Sequence, residues 1–379
     1  MHSYKLYSSL PDLATHKIWA EIDLDALRSN YRALAKEVKK GTPDCRPMCV
    51  VKADAYGHGI DACVDALLGE GCDFFAVSSI EEALAVRQVC RSVNADADIL
   101  ILGYTPAEEA VTLSRCNIIQ TVFSSDYARA LSMRVSAAGK ALRVHIKFDT
   151  GMNRIGFPAH SADEIERSAH EIAAVSALPG IIVEGAFTHF ARADETAGDA
   201  RTREQAERYF ALLERSRALG APISVRHICN SAATLRFPEY HLDLCRLGVL
   251  LYGAEPSDMF DFEVKPVMRL CAQISQVHTA CRRTAKLRRN VYGSRGYAHS
   301  HRSDRVCRRL HPRILRRRGG NIFKGRCTAR HRQDHRQDLH GSVHARPLRH
   351  RRARGRRRRA DRRTGTARRA CRACTHDKL

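Results

Sequence analysis

The chain has 379 residues, with 64 Lys and Arg against 41 Asp and Glu and a formal net charge of +23. That charge is concentrated at one end: from Cys281 to Leu379 there are 34 Lys and Arg against 5 Asp and no Glu, which leaves 30 basic and 36 acidic side chains over the first 280 residues. A mildly acidic globular region, long enough for a large barrel and a smaller domain, is joined to a strongly basic tail.

Met1 to His16 lacks the apolar core of a secretory leader, and no apolar run reaches the length of a membrane span. The 14 cysteines stand singly, many inside apolar runs (Cys49, Cys90, Cys229, Cys245), as buried thiols of a cytoplasmic protein do. The C-x-x-C pair Cys371/Cys374 has neither a second pair nor a His partner beside it, so no metal site is expected.

Lys17–Ile22 reads as a strand. After Asp23, a good N-cap, Leu24, Leu27, Tyr31, Leu34 and Val38 recur at spacings of three and four, predicting one apolar helix face that Gly41 terminates. Cys49, Val50 and Val51 form the apolar run of a buried parallel strand, with Lys52 at its downstream end and a glycine-rich turn (Gly57, Gly59) behind it. An ammonium there is costly unless paired or neutralised. The same desolvation is how a Schiff-base lysine is made; a strand-end lysine reaching to solvent is the plain alternative.

Further strands are predicted at 47–52, 73–78, 99–102, 118–123, 142–148, 181–187, 223–229 and 242–245, most separated by helix-period segments such as Glu81–Val93 and Arg201–Leu219. This alternation predicts an α/β fold with a parallel sheet and helices outside. Nine strand candidates suit a (β/α)8 TIM-type barrel with one strand, the first, left over. The competing doubly wound sheet lacks a G-x-G-x-x-G after its first strand.

In a barrel, chemistry lies at the C-terminal strand ends. Lys52 and Tyr56 follow the second run; Lys147, Asp149 and Arg154 end R-V-H-I-K-F-D-T-G-M-N-R; His189 ends E-G-A-F-T-H. His227, Asn230 and Ser231 end V-R-H-I-C-N-S, and Arg246 and Gly248 end L-D-L-C-R-L-G-V. Each alone has a structural explanation as a cap or a solvated end. Together they offer an amine for a carbonyl cofactor, donors for a phosphate and a guanidinium for a carboxylate.

With these motifs, from about Trp19 to His278, the chain resembles the alanine racemases, pyridoxal-phosphate enzymes with an N-terminal (β/α)8 barrel and a C-terminal β domain that act as head-to-tail homodimers. The resemblance implies that Lys52 carries pyridoxal 5'-phosphate and is one of two catalytic acid/bases. It implies that Tyr56, Ser231 and the amides of Gly248 and Val249 hold the phosphate, and that Arg246, backed by His227, faces the pyridine nitrogen. Arg154 matches the substrate-carboxylate arginine, Lys147 a lysine often carbamylated in the family, His189 the histidine that orients the second catalytic residue, and Asn230 an active-site hydrogen bonder. The organisation expected is an N-terminal extension (1–16), the cofactor-binding barrel (17–255), the first strands of the β domain (256–280) and an Arg-rich tail (281–379), disordered or poorly folded.

The family's second base is a tyrosine in S-Y-G-x-T-Y at the start of the β domain, contributed across the dimer. Here Tyr292 and Tyr297 are the tyrosines that follow Tyr252, and neither has that context. Codons can be chosen for Ala285–Asn290 and neighbouring residues so that skipping one base gives S-Y-G-A-T-Y. In the same frame Asp304–Pro312 can read I-G-Y-A-D-G-F and Asp338–Val343 I-C-M-D-Q-F, family motifs in the family's order. A single-base slip near Ala280–Cys281 is therefore expected in the coding DNA. The chain as written is expected to have impaired or no racemase activity. The alternatives are a pyridoxal-phosphate-binding barrel without catalysis and a racemase for another small amino acid. Homodimerisation draws largely on the β domain that the tail does not supply. Nucleic-acid or other anion binding by the run Arg351–Arg359 is expected to be incidental.

Overall fold

Buried apolar runs form the parallel strands β2 (Arg46–Val50), β3 (Phe74–Val77), β4 (Asp98–Ile101), β5 (Ile119–Val122), β6 (Leu142–Asp149), β8 (Ile181–Phe187), β9 (Val225–His227) and β10 (Leu244–Leu247). They are ordered β10-β2-β3-β4-β5-β6-β8-β9, with the short β7 (Phe157–Pro158) paired to β6. Between β9 and β10 the ring is closed by Asp243 N donating to Arg226 O at 3.1 Å and Arg246 N to Cys229 O at 3.2 Å. The result is a TIM-type barrel. The computed structural model describes residues 18–254 and 262–273, with the backbone of five short strands beyond them. The expected extension 1–16 and most of the 281–379 tail lie outside the described residues.

The leftover strand is the first, as the strand count requires. β1 (Ile18–Ile22) stands outside the barrel and pairs antiparallel with β11 (Met268–Gln273), which also pairs with Arg305–Arg308. Asn30 ties this return to the barrel: its Nδ2 donates to Leu251 O (3.1 Å) and Lys265 O (2.8 Å), while its Oδ1 accepts from Lys265 N (2.8 Å). Asn30→Ala would strand buried backbone groups. Urea unfolding is expected to show a loss of about 1–3 kcal/mol.

Helices cover the outside: α1 (Leu24–Val38), a short turn α2 (Lys52–Gly57), α3 (Ile60–Leu68), α4 (Ile80–Ser92), α5 (Ala110–Arg115), α6 (Ser125–Ala137), α7 (Ala162–Ser176), α8 (Asp199–Ala218) and α9 (Ser231–Arg236). Asp23, Ser79, Ser124, Ser161 and Asn230 cap α1, α4, α6, α7 and α9, their side chains accepting from the first-turn amides. Leu27, Tyr31, Leu34 and Val38 are buried as their spacing predicts. The helix, however, stops at Lys39, before Gly41. Gly41 is small for another reason: a Cβ there would lie 2.0 Å from Pro238 O.

The barrel interior has two halves. Met48, Val50, Phe74, Ala76, Leu100, Ile119 and Leu244 form one apolar inner cluster. On β6, Val144, Ile146 and Phe148 pack outward with the helices. The alternate face carries Arg143, His145, Lys147 and Asp149, and β9 and β10 add His227 and Arg246. His145 meets the inner cluster at Phe74, ring centroids 6.2 Å apart. Polar groups inside a barrel must satisfy one another. That requirement shapes the site.

Candidate active site

β2 ends at Val50, two residues before the expected boundary, because the chain turns sharply at Lys52. Ala53, Asp54, Ala55 and Tyr56 all have φ of 52 to 55°, one left-handed turn built from residues with side chains. Each costs roughly 1–2 kcal/mol in that region. Strain of this kind persists only where surroundings over-determine it. Here Glu82 accepts from Ala53 N (2.6 Å), Ser78 N (2.8 Å) and Ser78 Oγ (2.9 Å), and Asp54 Oδ1 accepts from Ile60 N (2.8 Å). Below the turn, Tyr252 packs against the Tyr56 and His58 rings at 5.2 and 4.6 Å and donates its hydroxyl to Val50 O at 3.1 Å. The turn aims Lys52 and Tyr56 into the mouth together, Lys52 Nζ lying 6.0 Å from the Tyr56 ring centre.

Tyr56 reaches the end of β10. A Cβ added to Gly248 would sit 3.0 Å from the Tyr56 hydroxyl and 3.5 Å from Ser231 Oγ, and Gly248 N donates to Ser231 Oγ at 2.9 Å. Burial pushes the Tyr56 phenol up to about 12, so it is a neutral donor. Val249 opens a short 3-10 turn, where the first amides have no partner within the turn. Two hydroxyls and the first amides of the turn thus converge where a glycine leaves room, a cradle suited to a phosphate.

The rest of the mouth is cationic. Burial, and then Arg154, lower the Lys52 pKa; Glu82 opposes the shift. Lys147, 2% exposed, donates to Phe148 O at 2.7 Å. Burial brings it down to about 7 against Asp149, with Arg246 and Arg154 adding to the fall. His189 is held neutral by burial and then by Arg246, Arg154, Lys147 and Lys52. Asp149 accepts from the amides of Gly151, Asn153 and Arg154 at 3.0–3.2 Å, which folds the loop that presents Arg154. The Arg154 guanidinium is exposed and makes no ion pair among the described residues. A mouth with this balance attracts anions.

The Lys147 shift gives a stability test. The folded value, about 7, lies below the ordinary 10.5. Between them the unfolded chain holds a proton that the folded chain does not, so stability rises as pH climbs through that window. In bicarbonate-free buffer, Lys147→Met is expected to remove this slope, a difference on the order of 4 kcal/mol across the window in urea titrations.

Arg246 is buried within β10. Its Nη1 donates to His227 O (2.8 Å) and His227 Nδ1 (3.0 Å), and its Nη2 to Thr188 O (2.8 Å) and Ile228 O (3.1 Å). Of the five N–H donors of a guanidinium, only the one on Nε is left. The Phe187 ring lies stacked on His227 at 4.7 Å and within 5.6 Å of both Lys147 Nζ and the Arg246 guanidinium carbon.

The predicted residues therefore fall into three groups: Lys52, Arg154, Lys147 and His189 share one field, Tyr56, Ser231, Gly248 and Val249 surround the cradle, and His227 braces Arg246. Asn230 stands apart in use, because its side chain caps α9 and reaches Phe190 O at 3.3 Å. Glu82, Tyr252, Phe187 and His145 were not singled out from the sequence. His145, two residues before Lys147 and so on the same strand face, was the most accessible of them.

Two surface hollows lie away from this mouth, of about 510 and 450 Å³. In the larger, Arg32 pairs with Glu70 and Arg46 with Asp73, and Lys39 and Asp44 add one charge of each sign. Cys229, His241 and Cys245 approach within 4.8 Å of one another. Both His241 ring nitrogens face carbonyls, of Val38 at 2.9 Å and Thr234 at 2.8 Å, so the cluster staples helices instead of offering an imidazole ligand.

Fold and rim together define a TIM-barrel protein with a partly desolvated amine in a predominantly cationic mouth. More narrowly, the chain belongs to the alanine racemase family: residues 22–256 match "Alanine racemase, N-terminal domain". It is similar to the alanine racemase of Desulfosudis oleivorans, 41% identical over 266 residues that cover 68% of this chain and 66% of that protein. It is likewise similar to that of Carboxydothermus hydrogenoformans, 40% identical over 263 residues, covering 69% and 67%. Among solved structures it is similar to the alanine racemase of Clostridium difficile 630 in complex with cycloserine, with a TM-score of 0.63, 35% identity and 70% of each chain covered. The chain spans about two thirds of the length of the curated relatives it matches. Among the described residues no helix is long and apolar enough to cross a membrane.

Proposed function

We propose that the barrel binds pyridoxal 5'-phosphate on Lys52 and that the complete protein, a cytoplasmic homodimer, interconverts L-alanine and D-alanine, supplying D-alanine for the cell wall. The observation that carries this reading is the Gly248 cradle beside a depressed lysine in a mouth where Lys52, Lys147, Arg154 and Arg246 outnumber Glu82 and Asp149. The residues fit the group: Tyr56, Ser231 and the amides at Gly248 and Val249 would hold its phosphate, and Arg246 Nε–H would face its ring nitrogen. When bound, the cofactor supplies an electron sink that acidifies the α-hydrogen of an amino acid.

Everything else is the work of this chain's residues. Lys52, whose pKa burial and Arg154 lower, takes the proton from one face of the α-carbon and returns it. Arg246 does not surrender a proton, so a ring nitrogen opposite it remains an acceptor and the electron sink is kept weak. Arg154 offers a two-pronged grip to a carboxylate. Lys147, part neutral near pH 7, is in the form that reacts with carbon dioxide, and carbamylation would turn it into an anionic brace for Arg154. His189 would orient the second base.

That base is what this chain lacks. Tyr292 and Tyr297 lie outside the described residues and do not stand in the family's motif. The reading favoured for the chain as written is a cofactor-binding barrel with little or no racemisation; turnover of another small amino acid is the remaining alternative.

The test mixes the purified chain with pyridoxal phosphate, reduces with borohydride, maps the labelled peptide and assays D-alanine formed from L-alanine. Label on the Lys52 peptide with D-alanine at background is expected. Label elsewhere overturns the cofactor reading; brisk racemisation overturns the missing-base reading. Gly248→Ala should weaken cofactor affinity by roughly tenfold, because its Cβ intrudes on the cradle. The nucleotide sequence between the codons of His278 and Arg289 decides the frame slip: absence of the family motif from the shifted frame rules it out.

A further inference from the structure

The polar half of the barrel holds a buried pair of histidines, one of which has no evident catalytic use. His227 Nε2 lies 2.9 Å from His145 Nδ1, and both rings are fully buried. His145 Nε2 has no hydrogen-bond partner. A buried, unpartnered ring nitrogen is rare enough to need an explanation.

The donor inventory assigns every proton in this chain of groups. Arg246 can only donate, so His227 Nδ1, 3.0 Å from Arg246 Nη1, is an acceptor. The proton of neutral His227 is then on Nε2 and is donated to His145 Nδ1. Neutral His145 must carry its own proton on Nε2, the unpartnered atom. Burial, reinforced by neighbouring Arg246 for His227 and Arg143 for His145, keeps both rings neutral.

One acidic group explains why His145 prefers that tautomer. Glu184 Oε2 lies 3.8 Å from His145 Nε2, too far for a hydrogen bond but close enough to favour an N–H over a lone pair. Glu184 is itself gripped by Arg143 at 2.9 and 2.7 Å, and Arg143 also holds Asp98 at 2.8 Å. The pairing of β6 with β8 shifts register at this point, so that Val144 faces Val183 but His145 faces Gly185, leaving Glu184 as the extra residue. A Cβ on Gly185 would lie 2.8 Å from His145 Nε2, so the glycine admits the ring.

We propose that His145 is a positioning residue for Arg246. By accepting from His227 Nε2 it gives that N–H a buried acceptor and so supports the tautomer that donation from Arg246 Nη1 also requires, leaving Nε–H as the one uncommitted guanidinium donor. The reversed tautomers would set a His227 Nδ1–H against an Arg246 N–H, and the guanidinium would have to turn away. What Nε–H is for rests on the cofactor reading; the tautomer relay does not.

The relay is tested in the cofactor-free chain by NMR with 15N-labelled histidine. The unaltered chain should show both His145 and His227 protonated on Nε2 alone. In His145→Leu the His227 Nε2–H loses its acceptor while Arg246 still calls for an acceptor at Nδ1, so the Nε2–H signal should shift and give way in part to Nδ1–H. His145→Gln, whose side-chain carbonyl can accept, should retain the Nε2–H signal. Pyridoxal phosphate affinity should fall roughly tenfold in the Leu variant and recover in the Gln variant. Protonation of His227 on Nδ1 in the unaltered chain, or an unchanged His227 in a folded Leu variant, overturns the proposal. If the tautomers behave as stated but Lys52 takes no cofactor, the functional reading fails and the relay stands.

Discussion

Replacing Lys52 with alanine is expected to abolish covalent capture of pyridoxal phosphate while leaving the barrel as stable as before, or slightly more so. The lysine sits where burial and Arg154 disfavour its charge, with Glu82 only partly opposing them, so in the empty protein it contributes little to folding. The left-handed turn that presents it is held by the Ala53 amide and by Asp54 and Glu82, none of which depends on the lysine side chain. On the proposed function, in a complete protein the same change removes both the covalent anchor and one acid/base, a loss of at least about 10⁴-fold in rate. Lys52→Arg should be as inactive, since a guanidinium does not give up its proton. The measurements are borohydride labelling, urea unfolding and D-alanine formation, with added methylamine as a partial rescue for the alanine variant. Cofactor still joined to the chain after Lys52→Ala would refute the assignment.

Much of this barrel could be read from its sequence because buried parallel strands are apolar on both faces and stand out as runs. Nine such runs placed one strand too many for a closed ring, and β1 proves to be the extra one, paired with β11. The rim residues were legible for the same reason: polar side chains at the ends of apolar runs have nowhere else to point. The left-handed turn was not legible, since Ala53, Asp54 and Ala55 carry no local preference for positive φ and are held there by Glu82, 29 residues away. Nor was the relay, which joins residues 82 apart across the barrel. The extra residue at Glu184 depends on strand register, which no single strand encodes. The cap that Asn230 forms on α9 was not anticipated either: a polar residue at a strand end was expected among the active-site hydrogen bonders, and its Oδ1 accepts from Ala233 N.

Arg246→Leu is expected to cost stability as well as function, the reverse of the Lys52 pattern. The guanidinium is buried without a carboxylate, and burial, with Arg154 adding to the fall, pulls it down to about 10. Removing a cation so placed relieves its desolvation, which by itself is favourable. The acceptors decide the balance. The carbonyls of Thr188, His227 and Ile228 and the Nδ1 of His227 all lose their donor and remain buried. Orphaned acceptors of this kind should cost about 3–5 kcal/mol together, a large part of the stability of an ordinary domain. Arg246→Lys restores the charge but has no planar fork to serve both sides at once, so it should recover part of the stability and little of the hold on the ring nitrogen. Urea unfolding of the three proteins in parallel with cofactor titration separates the two effects. If the Leu variant unfolds within 1 kcal/mol of the unaltered chain, the carbonyl set is not what holds the polar half of the barrel together.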